Sequence, residues 1–261
     1  MSTILGKIAD LRLARLAEEM KTTSRDELEQ RAHETKPPVD FAGVFPRSRI
    51  HVIAEIKKGS PSRGILRADA DPDQLARAYA QGGASAISVL TEADHFFGSL
   101  SALTTVKSAV SLPVLRKDFI LDPYQVVETR ASGADSFLLI AALLDGRSLG
   151  SLMKEGRKWG MEPLVEAHDA DEVGMALKAG ARIIGINNRD LNTFHVDVNI
   201  SLNLIKHIPR ECIAVSESGI KTRGQIVRLA DAGFRGFLIG ESLVTSADPA
   251  ATLRGLLHDD L

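Results

Sequence analysis

Strand-like and helix-like runs alternate about eight times after residue 48, which predicts an α/β fold of the (β/α)8 TIM-barrel class with an N-terminal helical extension. Glycine follows many of the helical runs, as in Gln81-Gly82-Gly83, Ser132-Gly133-Ala134-Asp135, Lys178-Ala179-Gly180-Ala181 and Asp231-Ala232-Gly233. There it stops the helix, because it accepts a left-handed conformation cheaply. Regular alternation implies a parallel sheet, and about eight repeats favour closure over an open sheet. An open doubly wound sheet is the main alternative, but no Gly-x-Gly-x-x-Gly follows the first strand.

The extension takes residues 1–48. Ile4, Ile8, Leu11, Leu13, Leu16, Ala17 and Met20 fall near helical spacing, with Lys7, Asp10, Arg12, Arg15, Glu18 and Glu19 between them. A second short helix starts at Ser24, an N-cap with Glu27 in capping-box position, and runs to about Ala32. Lys36-Pro37-Pro38 breaks it. The segment is too short for a core of its own, so it is expected to pack on the barrel of residues 49–261 as part of one catalytic domain. The expected strands are Ile50–Ile56, Ala84–Leu90, Pro113–Lys117, Asp135–Ile140, Pro163–Glu166, Arg182–Asn187, Cys212–Ser216 and Gly236–Ile239. Between and after them the pattern predicts helices over Pro72–Gln81, Ser99–Ala109, Pro123–Ala131, Arg147–Lys158, Ala170–Lys178, Asn199–His207, Thr222–Ala230 and Pro249–Leu257.

A chain of 261 residues with a 44% hydrophobic share and 25% charged residues suits one large core. A formal net charge of −2 gives no support for a nucleic-acid or membrane-surface partner. No apolar run approaches the roughly 18 residues of a membrane-spanning helix. The start, Met1-Ser2-Thr3-Ile4-Leu5-Gly6-Lys7, lacks a signal-peptide core, so a cytoplasmic protein is expected. Cys212 is the only cysteine, which excludes an internal disulfide, and it reads as packing. With no paired His/Cys ligand cluster and no dinucleotide fingerprint, neither a metal nor a cofactor is expected.

Function is expected where a parallel barrel places it, at the C-terminal ends of the strands. The first strand buries apolar atoms on both faces yet ends in Glu55 and Lys57, in phase with Ile53, before Gly59-Ser60-Pro61-Ser62. Buried charges of this kind are costly unless paired or bound to a ligand. The third strand ends in Lys117 on the face of Leu115, and the fifth in Glu166 on the face of Leu164. The sixth gives Asn187 and Arg189, the seventh Glu217 and Ser218, and the eighth Gly240 and Glu241. Gly219 and Gly240, after strands seven and eight, suit close approach of a phosphate, with Ser60 and Lys57 completing the shell.

The series Ala54-Glu55-Ile56-Lys57-Lys58-Gly59-Ser60-Pro61-Ser62, Leu115-Arg116-Lys117-Asp118-Phe119, Leu164-Val165-Glu166, Ile186-Asn187-Asn188-Arg189-Asp190-Leu191 and Ser216-Glu217-Ser218-Gly219-Ile220 resembles the motifs of the indole-3-glycerol-phosphate synthase family. The likeness runs in order from about residue 50 to residue 245, and the family also carries extra helices ahead of its barrel. It implies a carboxy-lyase of tryptophan biosynthesis acting on 1-(2-carboxyphenylamino)-1-deoxyribulose 5-phosphate, a small phosphorylated substrate, with no metal or cofactor. By matched position Lys117 is implied as the acid for ring closure, with Glu55 orienting it. Lys57 and Glu166 are implied in dehydration, with the donor undecided between them. Asn187, Arg189 and Glu217 would hold the substrate's carboxylate and hydroxyls, and Ser60, Ser218, Gly219 and Gly240 its phosphate. Glu241 stands where other members can have a small hydroxyl residue, so only a backbone contact is implied there. Phe96 and Phe119 are candidates to pack on the anthranilate ring, with a core role as the alternative for either, whereas His95 and His168 match no role and read as structural or exposed. The alternative is a phosphosugar barrel like phosphoribosylanthranilate isomerase, which shares the phosphate site but lacks the Glu-x-Lys start.

Overall fold

The computed structural model describes residues 4–47, 49–61, 63–190 and 193–258. Ser48 at the expected boundary, Ser62 and Leu191 in the motifs, and Met1 to Thr3 lie outside the described residues. Eight parallel strands close into a barrel: β1 (His51–Ile56), β2 (Ala86–Leu90), β3 (Val114–Lys117), β4 (Ser136–Ile140), β5 (Leu164–Ala167), β6 (Ile183–Asn187), β7 (Ile213–Glu217) and β8 (Gly236–Ile239). Each pairs with its neighbour in sequence, and β8 returns to β1 through Ile53 opposite Leu238. All eight expected strands are right to within two residues; seven start one or two residues later than expected, and β5 and β7 also run one residue further, to Ala167 and Glu217.

Alternation of side chains divides the core into two layers. Val52, Ala54, Val89, Leu139, Val165, Ile184 and Phe237 face outward into the layer shared with the helices. Ile53, Ala86, Leu115, Leu138, Leu164, Ile183, Val215 and Leu238 fill the lumen. Because the period is two, the residues that follow each lumen residue by two positions stand at the mouth. This places Glu55, Lys117, Glu166 and Glu217 there, and strand register brings Glu55 opposite Ser88 and Asn187 opposite Glu217.

The outer helices start where side chains satisfy their first N–H groups. In α3 (Pro72–Gln81) Asp71 is the cap, in α4 (Leu100–Ala109) it is Ser99, and in α5 (Pro123–Ala131) Asp122 and Gln125 form a capping box. Asp145 caps α6 (Gly146–Lys158), Asp169 caps α7 (Ala170–Lys178) and Thr222 caps α9 (Arg223–Ala232). The run expected as a helix over Asn199–His207 divides into a helix, α8 (Asn199–Leu204), and a 3-10 turn, Ile205–His207. Not anticipated at all was the small hairpin of Gly59–Ser60 with Gly64–Ile65 in the loop after β1.

In the extension, α1 (Ile4–Thr22) lays Leu5 and Ile8 against the lumen residues at the mouth. The second helix, α2 (Arg25–Glu34), has the expected capping box between Ser24 and Glu27. It buries Leu28 against Leu16, Tyr124 and Val127. At the opposite end Phe41 and Phe45 close the lumen, with Phe45 beside His51 and Gly236 at the starts of their strands.

Candidate active site

A cavity of about 830 Å³ opens at the C-terminal ends of the strands. At its floor Lys117 Nζ lies 3.3 Å from Glu217 Oε2, 3.5 Å from Glu166 Oε2 and 3.8 Å from Glu55 Oε2. Glu55 holds a second cation, with Lys57 Nζ 2.7 Å from its Oε1. All three glutamates are buried. Two lysines and three glutamates, contributed by four strands, form one acid–base cluster.

Burial opposes charge on every member, and the neighbours decide which ones keep it. Burial pushes Lys117 down, but Glu217, Glu166 and Glu55 outweigh it and hold the ammonium well above its usual range. Glu55, penalised by burial, is nevertheless kept below the ordinary carboxylate range by Lys57 and Lys117. Glu166 is likewise held down against burial by Lys117, by His168 and by a hydrogen bond involving Asn187. Glu217 shares Lys117 with the other two and faces both carboxylates. Burial and that repulsion push it up to about 8. Its Oε1 lies buried with no hydrogen bond among the described residues. The cluster therefore favours the ionised form of Glu55 and Glu166 and the protonated form of Glu217.

That arrangement has a sign in stability. A carboxyl raised from 4.5 to about 8 on folding binds more protons in the folded state across that window, so its contribution declines as pH rises from about 5 to 8. Glu217→Gln, which mimics the protonated form, is expected to gain in Tm relative to the parent over this range. A Tm difference that stays flat between pH 5 and 8 contradicts the assignment.

Other expected residues reach the same cavity. Ser60, Ser218, Gly219, Gly240 and Glu241 line one side of it. Ser218 and Gly219 are both left-handed, with φ of 68° and 78°, which turns the chain sharply at the end of β7. A Cβ on Gly240 would collide with the Glu55 carboxylate, so this glycine makes room for the acid–base cluster. Phe96 and Phe119 sit with ring centroids 6.2 Å apart, and Ile8, Leu138 and Ile140 line the cavity with them. Arg189 donates to the Phe194 carbonyl at 3.3 Å and lies 4.0 Å from Glu241. Glu241 also pairs with Arg63 at 3.0 Å, so its side chain links the loops after β1, β6 and β8.

Two features escaped the sequence reading. His168, read as structural or exposed, is mostly buried, and its Nε2 lies 3.4 Å from Glu166 Oε1. Its place two residues after Glu166, in phase along the strand, was the available signal. Behind the mouth, Arg116 is wholly buried and pairs with Asp118 at 2.9 Å and Glu128 at 2.8 Å. Arg12 of α1 joins both acids at 3.6 and 3.7 Å. The two-residue spacing puts Arg116 and Asp118 in phase, but nothing in sequence marks Glu128 and Arg12 as their partners, because the helices reach them only through the tertiary fold.

Fold and site together define a (β/α)8 barrel enzyme that works by acid–base chemistry on a small molecule held at the strand ends. A family model described as "Indole-3-glycerol phosphate synthase" matches residues 5–256. The indole-3-glycerol phosphate synthase of Dehalococcoides mccartyi (strain CBDB1) is 51% identical over 224 residues, which cover 85% of this chain and 86% of that one. The enzyme of the same name from Mycolicibacterium smegmatis is 45% identical over 256 residues, covering 98% and 94%. The chain belongs to the indole-3-glycerol phosphate synthase family, carbon–carbon lyases of tryptophan biosynthesis. Among solved structures it resembles a 3-hexulose-6-phosphate synthase, with a TM-score of 0.64 and 16% identity over 79% of this chain and 98% of that one. A thiamine phosphate pyrophosphorylase from Pyrococcus furiosus gives a TM-score of 0.61 and 14% identity over 80% and 95%. These two share the fold. The family match sets aside the isomerase-like alternative.

Proposed function

We propose that the cluster around Lys117 converts 1-(2-carboxyphenylamino)-1-deoxyribulose 5-phosphate to indole-3-glycerol phosphate in three steps. The observation that carries this reading is one ammonium ringed by three glutamates at 3.3 to 3.8 Å, with a second lysine on Glu55. In ring closure, the ring carbon bearing the carboxylate attacks the ketone carbon. Lys117 gives its proton to the ketone oxygen as the new bond forms, with Glu55 orienting the ammonium. Decarboxylation follows, the electron pair of the breaking bond restoring the aromatic ring as carbon dioxide leaves. In dehydration, the hydroxyl departs as water with a proton from Lys57, and the ring proton lost with it passes to Glu166. Glu166 serves as acceptor because Lys117 and His168 keep it ionised in the free enzyme, leaving Lys57 as the donor.

Binding divides along the cavity. Phe96 and Phe119 form the slot for the anthranilate ring, and Arg189, with Asn187, meets its carboxylate through forked donors. Glu217, protonated, hydrogen-bonds a substrate hydroxyl. The backbone at Gly219, Gly240 and Glu241, with Ser60, Ser218 and Lys57, surrounds the phosphate. No described helix is long and apolar enough to cross a membrane, which supports the cytoplasmic location we propose.

The split between steps is testable. Lys57→Met and Glu166→Gln are expected to release carbon dioxide faster than they form the indole chromophore, so a hydroxylated, non-indole intermediate accumulates. Carbon dioxide and indole slowing together would place both residues before decarboxylation and overturn the dehydration assignment.

A further inference from the structure

Glu166 has an imidazole neighbour, His168, whose own anchoring the reaction scheme does not use. His168 is the first residue after β5, and its side chain is only 16% exposed. Its Nδ1 lies 3.1 Å from Glu172 Oε2, and its backbone N–H donates to the same oxygen at 2.7 Å. Glu172 is itself fixed in the first turn of α7, where its backbone N–H donates to the Asp169 cap at 2.8 Å. The ring is thus held on one side by an ionisable partner anchored in a helix. On the other side Nε2, buried and without a hydrogen bond among the described residues, is turned toward Glu166 Oε1 at 3.4 Å.

We propose that His168 is a positioning residue for Glu166: Glu172 holds the imidazole at Nδ1, and Nε2–H faces Glu166 Oε1, orienting that carboxylate and keeping it ionised for dehydration. The chain Glu172–His168–Glu166 follows the logic of an acid–base group oriented by a third residue. The groups facing the ring are Glu166 from β5, Glu172 from α7 and Glu217 from β7. Burial pushes the imidazole down, but the Glu172 hydrogen bond and the charges of Glu166, Glu172 and Glu217 outweigh it and raise it above its ordinary value. The imidazole therefore keeps its proton to higher pH than a free histidine does. Lys117 approaches the other oxygen, Oε2, at 3.5 Å and Asn187 also hydrogen-bonds the carboxylate, so Glu166 is held by an imidazole, an ammonium and an amide.

The inference rests on the reading of Glu166 as the proton acceptor in dehydration, and the test keeps the two apart. Single-turnover indole formation is followed by fluorescence against pH for the parent, His168→Asn, Glu172→Gln and Glu166→Gln. Removing a cation beside Glu166 raises its pKa, so the carboxylate is lost sooner as pH falls. For His168→Asn we expect the acidic limb to move up by about one pH unit, with the rate at its plateau lowered about tenfold and KM little changed. Glu172→Gln, an isosteric change on the helix surface, is expected to move the limb in the same direction by less. It carries the test should His168→Asn fail to fold. An unmoved acidic limb in the folded variants, while Glu166→Gln still abolishes indole formation, overturns the positioning role alone. Full indole formation by Glu166→Gln overturns the underlying assignment.

Discussion

Lys117→Ala is expected to lower turnover by about 10²–10⁴-fold, the usual cost of losing a general acid, while the phosphorylated substrate still binds. The warrant is geometric. Lys117 Nζ is the only cation within 4 Å of all three glutamates among the described residues. The alkoxide that would form at the ketone carbon without a donor is a strong base, so proton transfer from even a firmly held ammonium is favourable at that moment. The phosphate and anthranilate contacts lie on other residues and survive the change. Kinetics should show kcat falling with little change in KM. A well-folded Lys117→Ala protein that keeps more than half of the parent kcat contradicts the assignment.

Arg116→Met is expected to destabilise the fold by about 3–5 kcal/mol, because it leaves buried acids without their main counter-charge. Arg116 donates to Asp118 at 2.9 Å, to Thr91 and Thr129 at 3.1 Å and to the Gln125 carbonyl at 3.2 Å, and it pairs with Glu128 at 2.8 Å. Arg12, at 3.6 Å or more, is too distant to replace these contacts. At roughly 2–4 °C per kcal/mol for a chain of this size, the loss amounts to about 6–20 °C in Tm. Thermal unfolding measures it directly. A shift below about 2 °C would mean that the network is satisfied without the guanidinium.

What the chain reveals before it folds follows from the range of the interactions involved. Helix limits such as Pro72–Gln81, Pro123–Ala131 and Ala170–Lys178 are set by local caps and agree with expectation. The lumen faces were legible because the strand period is two, so Leu115 predicts the side of Lys117 and Leu164 that of Glu166. Relative distances between strands were not. Glu217 and Lys117 are 100 residues apart in sequence, and only the closed barrel makes them neighbours. Protonation of Glu217 is likewise invisible in sequence, because it depends on which carboxylates share a lysine. The surroundings of His168 were hidden for a related reason: sequence does not show that the Glu166 and Glu172 carboxylates stand on either side of it. The hairpin at Gly59–Ser60 is too short to carry a periodic signal.

The central claim is that the side chains at the barrel mouth supply all the acid–base chemistry of this lyase. The most direct test is turnover of 1-(2-carboxyphenylamino)-1-deoxyribulose 5-phosphate by protein treated exhaustively with EDTA, with carbon dioxide release and indole fluorescence recorded together. The account predicts undiminished turnover, with one carbon dioxide released per indole formed. Activity lost on chelation and restored by a single divalent ion would contradict it.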